Sequence, residues 1–224
     1  MLSSRAFSPR IILNRAALSP LVVSTRFFAS PTASTTTSTM TGNISVADAV
    51  KHDHRELEQY YDHIINATDA DTKTRYQNLF TWELARHSIG EELVVYPALE
   101  KYVDGGKALA DRDREEHQKV KEMLRKFQQL SPSDSEFEPT IKKLMSDLAE
   151  HIKEEESEDL VKLEQAVPNS ESHTLAASFK RTKMFVPTRS HPSAPDKPPF
   201  ETVVGLLAAP IDKLGDIFRK FPKE

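Results

Sequence analysis

Six polar side chains stand out in this 224-residue chain because their types and spacing suit metal chemistry. His87-x3-Glu91 and His151-x3-Glu155 each set a carboxylate four residues after a histidine, about one turn apart on one face of a helix. His54 and His117 add two more imidazoles at helical spacing from apolar neighbours. A single histidine on an apolar stripe is usually a hydrogen-bonded core residue. Six such groups aimed at one interior are costly to bury unless they are paired or hold a cation. The candidate ligand set is therefore His54, His87, Glu91, His117, His151 and Glu155. The chain has no cysteine, which removes thiolate nucleophiles, disulfides, iron–sulfur ligation and sulfur-based zinc fingers. Nitrogen and oxygen donors favour iron, manganese or zinc. Carboxylates can bridge, so a pair of iron ions joined by Glu91, Glu155 and a hydroxide or oxide would have two histidines on each ion and room for a small ligand.

The elements that must position these residues read as four helices between residues 44 and 167. Ser45-x-x-Asp48 resembles a capping box. After it Val50, His54, Leu57, Tyr61 and Ile64 recur at steps of three and four. Tyr76, Phe80, Glu83, His87, Glu91, Val94 and Ala98 continue the rule in a second helix from about Lys73. Ala110, His117, Val120, Leu124 and Phe127 mark a third, and Ile141, Leu144, Leu148, His151, Glu155 and Leu163 a fourth. Gly105-Gly106, Ser131-Pro132-Ser133-Asp134 and Pro168 punctuate them. Short connections make neighbours antiparallel, so the expected fold is all-α, an up-down-up-down four-helix bundle with a helical and extended C-terminal extension. Pro97 should kink or break the second helix near Tyr96, and Gly90 costs helix stability of about 1 kcal/mol. His52 reads as a surface residue and Glu58 as an outer partner of His54. The acidic run Glu154–Asp159, Glu155 apart, reads as a solvated face.

In chain order, the pattern is His54, then His87-x3-Glu91-Glu92 with Tyr96-Pro97, then Glu116-His117, then His151-Ile152-x-x-Glu155-Glu156. It resembles the hemerythrin-like HHE cation-binding domain family over roughly residues 46–165. The resemblance implies an antiparallel four-helix bundle with a non-haem di-iron centre held by the six residues above. Oxygen-carrying hemerythrins add a fifth histidine four residues from the third-helix ligand. Here those positions are Asp113 and Lys121, which argues against simple oxygen carriage. Ferritin's Glu-x-x-His is absent, because Lys51, Leu84, Arg114 and Leu148 precede the four histidines by three. The resemblance points to a protein that binds iron and a small oxygen-derived ligand such as dioxygen, peroxide or nitric oxide, in a sensing, buffering or detoxifying role. The alternative is a di-iron oxidase or a peroxide- or nitric-oxide-consuming enzyme.

The flanks carry other signals. Residues 1–47 hold Arg5, Arg10, Arg15 and Arg26 and no Lys, Asp or Glu, so a net charge of −4 becomes −8 over the remainder. The acidic body argues against a nucleic-acid partner. Residues 1–30 have the composition of a mitochondrial transit peptide directed to the matrix, cut near Phe28, with residues 31–43 a disordered linker. Met40 is a second start that would give a cytosolic form. No run of about 18 apolar residues is present, so no transmembrane helix is expected. Within residues 168–224, Glu171–Phe185 can form a short helix, and five prolines over Pro187–Pro199 favour an extended chain. Phe200–Phe221 is amphipathic. That last segment is expected to dock on the bundle by its apolar face, with peripheral membrane contact as the second reading.

Overall fold

The computed structural model describes residues 44–194 and 200–223. The expected import segment, the linker and residues 195–199 of the proline-rich stretch lie outside the described residues. Helix α1 (Val46–Asn66) opens on the expected capping box: the Ser45 hydroxyl accepts from the Asp48 N–H and the Asp48 carboxylate from the Ser45 N–H. Helix α2 (Ala70–Gly90) is capped by Asp69, which accepts from the Thr72 N–H at 2.8 Å. It runs without interruption into one π-helical turn, Glu91–Val95, and then α3 (Tyr96–Tyr102). The chain reverses through Gly105, whose φ of 74° is left-handed, into α4 (Gly106–Phe127). A Cβ at Gly106 would lie 1.9 Å from the Leu99 carbonyl oxygen, so the turn requires glycine twice. Helix α5 (Phe137–Glu154) passes through a second π-helical turn, Glu155–Asp159, into α6 (Leu160–Ala166). These rods make the four-helix bundle, with short connections and alternating direction.

The two π turns were not foreseen. In the first the Tyr96 N–H reaches back five residues to the Glu91 carbonyl, and in the second the Leu160 N–H reaches Glu155. The break expected near Tyr96 is therefore a change of hydrogen-bond register, with Pro97 immediately after the π turn. Proline is not the common cause, since the second turn has none. Both turns begin at the carboxylate of a His-x3-Glu pair.

The apolar core divides at that level. Val46, Val50, Val95, Leu99, Ala110, Leu160, Leu163 and Phe179 form one buried cluster. Leu57, Ile64, Phe80, Leu84, Val120, Leu124, Phe127, Ile141, Leu144 and Leu148 form the other. Each large side chain contributes about 1.5–3 kcal/mol by burial, so a polar layer between the clusters is clamped from both ends.

Helix α7 (Asn169–Lys183) packs beside α1, α2 and the first π turn as a further wall of the bundle. Gly90 is explained by it: a Cβ there would come within 2.8 Å of the Phe179 ring. Residues 188–190 then lie buried along α4, with the Ser190 N–H on Gln128 Oε1 at 3.0 Å. They hold α8 (Phe200–Asp216), but not as expected. Asp212 accepts from the Thr188 and Arg189 N–H groups, and Asp216 from the Thr188 hydroxyl and the Arg189 guanidinium. The polar side of α8 faces the bundle, while Leu207, Ile211 and Leu214 face outward. No described helix is long and apolar enough to cross a membrane.

Candidate metal centre

All six predicted ligand residues meet in the layer between the two apolar clusters, each at most 3% exposed. His87 Nε2 lies 3.2 Å from Glu91 Oε1, and His54 Nε2 lies 3.9 Å from the same oxygen. His117 Nε2 is 3.4 Å from the other oxygen, Glu91 Oε2, and 3.1 Å from His151 Nε2. Donor atoms of His54, His87 and Glu91 thus gather in one group within 4.8 Å, and those of Glu91, His117 and His151 in another. Glu91 belongs to both. Glu155 closes the opposite side, with Oε2 at 3.4 Å from His54 Nε2 and 4.0 Å from His151 Nε2. The Nε2 atoms of His54 and His87 and all four oxygens of Glu91 and Glu155 are buried without a hydrogen-bond partner among the described residues. Unpaired buried donors of this kind are costly by themselves and fit a cation.

Each histidine is oriented by a carboxylate on its outer nitrogen. His54 Nδ1 meets Glu156 at 2.8 Å and His117 Nδ1 meets Glu92 at 3.1 Å. His87 Nδ1 meets Asp53 at 3.2 Å and His151 Nδ1 meets Glu116 at 2.8 Å. A carboxylate acceptor fixes the proton on Nδ1 and leaves the Nε2 lone pair for a metal. The contacts repeat in a twofold-like pattern. The residue before one ligand histidine orients the histidine of the following helix, and the residue after each ligand glutamate orients a histidine across the bundle. Cations anchor the carboxylates in turn: Lys121 pairs with Glu92, Arg55 with Glu156, and Lys183 with both Asp53 and Glu83.

The electrostatics follow from burial and this pairing. Burial holds His117 down to about 4 and also lowers His87. Burial pushes His54 the same way, but the nearby carboxylates of Glu155 and Glu156 outweigh it and raise the imidazole above 6.5. Glu91 is driven well above the usual carboxylate range by burial and by the charge of Glu155. Glu155 feels the same burial, yet the adjacent His54 imidazole and the charge of His151 carry it down to about 2. Two buried carboxylates this close need positive charge between them, a proton in the metal-free protein and a cation in the loaded one.

Three features break the twofold pattern. The Tyr96 hydroxyl lies 2.9 Å from His117 Nε2, and five residues past Glu155 its counterpart is Leu160. Asp113, four residues before His117, is 1% exposed with Oδ2 unpartnered, and burial and Asp159 raise it to about 7. Asp159 itself is fully buried and bonded to Arg112 at 2.8 Å. The run Glu154–Asp159 is therefore a solvated face only in part: Glu154, Ser157 and Glu158 reach solvent, whereas Glu155 and Asp159 are interior and Glu156 holds His54. Glu58 pairs with the exposed Arg55 and not with His54. A surface cleft of about 260 Å³ lined by Glu116, Lys119, Asp147, Glu150 and Glu154 reaches His151 from solvent.

Sequence reasoning gave no role in the site to Asp53, Glu92, Glu116, Glu156, Lys183 or Asp159. The first four had a signal: acid–histidine doublets at Asp53-His54 and Glu116-His117, and Glu-Glu doublets at 91–92 and 155–156. Lys183 and Asp159 had none.

A helical bundle with histidine–carboxylate clusters at the level of two π turns is a cation-binding protein in fold and in site. Residues 45–163 match the hemerythrin HHE cation-binding domain family, and the chain belongs to that family. It is 57% identical over 178 residues to a hemerythrin-like protein of Schizosaccharomyces pombe, covering 79% of this chain and 88% of that one. A DNA nickase of Nostoc sp. is 22% identical over 147 residues, 66% of this chain and 41% of that protein. Among solved structures, a hemerythrin HHE cation-binding domain-containing protein from Mycobacterium kansasii superposes with a TM-score of 0.54. It is 18% identical and the match covers 63% of this chain and 88% of that one, which speaks to the fold.

Proposed function

We propose that the chain is a non-haem di-iron protein of the mitochondrial matrix that binds iron and a small oxygen-derived ligand in a sensing, buffering or detoxifying role. The observation that carries this reading is Glu91. Its two oxygens face separate histidine pairs, His54/His87 and His117/His151, as a carboxylate shared by two ions would. Glu155 would bridge on the other side, and the four Nε2 atoms would fill two positions on each ion. Imidazole and carboxylate together suit iron. An iron pair, when bound, supplies open coordination positions and redox exchange. The residues supply the rest. Asp53, Glu92, Glu116 and Glu156 fix imidazole orientation, the apolar clusters exclude bulk water, and the Tyr96 hydroxyl offers a hydrogen bond inside the centre. Tyr96 is also the observation that favours the second reading, an oxidase or a peroxide- or nitric-oxide-consuming enzyme, because a buried phenol beside the ligands can give a proton to a reacting oxygen.

Elemental analysis of the purified full chain, with optical spectra taken anaerobically and after exposure to air, tests the reading. The expected result is two iron ions per chain with spectra that change on oxygenation. One ion per chain, or stoichiometric zinc, overturns it. The matrix location rests on the composition of residues 1–30. Deleting them should leave the protein in the cytosol, and continued import refutes the assignment.

A further inference from the structure

Among the described residues the most conspicuous unpartnered surface is on α8, away from the metal centre. Asp212 is 8% and Ala209 3% exposed, and with Asp216 they form the face turned to the bundle. On the opposite face Leu207 is 72%, Ile211 73% and Leu214 61% exposed. Ile217 at 74% and Phe218 at 83% extend it in the turn that follows. Spacings of three and four put the two sets on roughly opposite sides of one helix. A helix that docks on its own protein normally hides its apolar stripe. Here two inward-facing carboxylates, tied to Thr188, Arg189 and His191, hold it the other way round. Met184 and Phe185, 62% and 60% exposed, lie beside it, with Lys213 bonded to the Met184 carbonyl and 5.8 Å from the Phe185 ring centroid.

We propose that this outward face docks on an anionic lipid surface. Charge selects the occupant. Both acids of the segment 207–223, Asp212 and Asp216, are turned inward, whereas its four cations, Lys213, Arg219, Lys220 and Lys223, are all exposed. Arg219 pairs with Asp216, and Lys220 with the surface residue Asp71, an exposed contact of little worth that phosphate oxygens can replace. An apolar stripe bordered by cations is the pattern of a helix lying in a lipid interface. A second copy of this chain fits poorly, because a self-paired face sets these cations against each other. The exposed apolar residues would enter the acyl boundary while the strap of residues 188–191 keeps the bundle above it.

The test uses the full chain with Trp82→Phe and Phe218→Trp, so that fluorescence reports this face and not the basic N-terminal segment, which can bind lipid independently. Vesicles of phosphatidylcholine, with and without phosphatidylglycerol, carry brominated acyl chains. The expected result is a blue shift and bromine quenching with the anionic vesicles, weakened by salt. Adding Leu214→Glu and Ile217→Glu should lower the partition coefficient by about tenfold or more, with the far-ultraviolet dichroism and metal content unchanged. Unshifted, unquenched emission with anionic vesicles overturns the proposal. So does concentration-dependent dimerisation abolished by Leu214→Glu, which would assign the face to a second copy.

Discussion

Glu91→Gln should move the stability of the metal-free and metal-loaded protein in opposite directions. Glu91 is fully buried and neither oxygen has a hydrogen-bond partner among the described residues. In the metal-free protein at pH 7 it must hold a proton or stay charged beside Glu155. For a carboxyl whose ordinary value is 4.5, holding the proton at pH 7 costs 2.5 pH units, or about 3 kcal/mol. That is the most a neutral amide of the same shape can relieve. The sign follows from the upward shift. An acid raised by folding contributes stability below its unfolded value and loses it as pH rises toward the folded one. The advantage of Gln should therefore be small at pH 5 and grow toward pH 7, with about 3 kcal/mol as its ceiling. For a chain of this size that ceiling is roughly 6–12 °C in melting temperature. The loaded state should show the reverse. The amide replaces a shared anionic ligand, so a thousandfold excess of iron(II) over the wild-type Kd, which adds about 4 kcal/mol to wild type, should add little to the variant. Anaerobic calorimetry with chelator and with iron(II), at pH 5 and pH 7, reads both effects. A metal-free variant that melts below wild type at pH 7, or one that iron stabilises as much as wild type, refutes the reasoning.

Glu116→Ala and Glu156→Ala should each weaken metal binding by roughly 10–100-fold, since each frees the outer nitrogen of a ligand histidine; chelator competition measures it, and an effect at one position alone breaks the twofold pattern. Gly90→Ala gains about 1 kcal/mol of helix propensity but drives a Cβ to 2.8 Å from Phe179, a cost of about 1–3 kcal/mol, so the melting temperature should fall. A stabilised variant would show that α7 yields freely. Asp212→Ala leaves the Thr188 and Arg189 N–H groups without their acceptor, at about 1–3 kcal/mol each, and should expose the chain around residues 188–194 to limited proteolysis. A digestion pattern like that of wild type contradicts the strap. Acid should release metal, because His54 takes a proton more readily than a free imidazole and competition begins above pH 6.5; loading that stays flat down to pH 5 argues against His54 as a ligand.

The helices were legible because their signals are local. The Ser45–Asp48 box and the three-and-four spacing through His54, His87, His117 and His151 depend on one helix at a time. The same spacing set six polar groups on inward stripes. It could not say which acid faces which imidazole, because Glu92 with His117 and Glu156 with His54 meet only across the bundle. Nor could it show the π turns, which bring the adjacent Glu91 and Glu92 both into the interior. Asp159 looked like surface because acidic runs usually are. Amphipathicity revealed that α8 has an apolar face, and the period fixes its angle on the helix. Which side meets the protein is decided by Thr188 and Arg189, residues without any pattern of their own.

Each of the two rods with a π turn, α2–α3 and α5–α6, carries one more residue than a regular α-helix of the same rise would use. Removing one residue from Glu91–Val95 would let the hydrogen bonds close in the ordinary way. It would also rotate everything beyond by about 100°, sweeping Tyr96 and Leu99 out of the interior. The two halves of the core are thus cut to different angular phases, and the histidine layer is the joint where the phase changes. Straightening either rod would misalign the far cluster, so the irregularity is built into the geometry of the whole barrel and cannot be trimmed away as a local flaw.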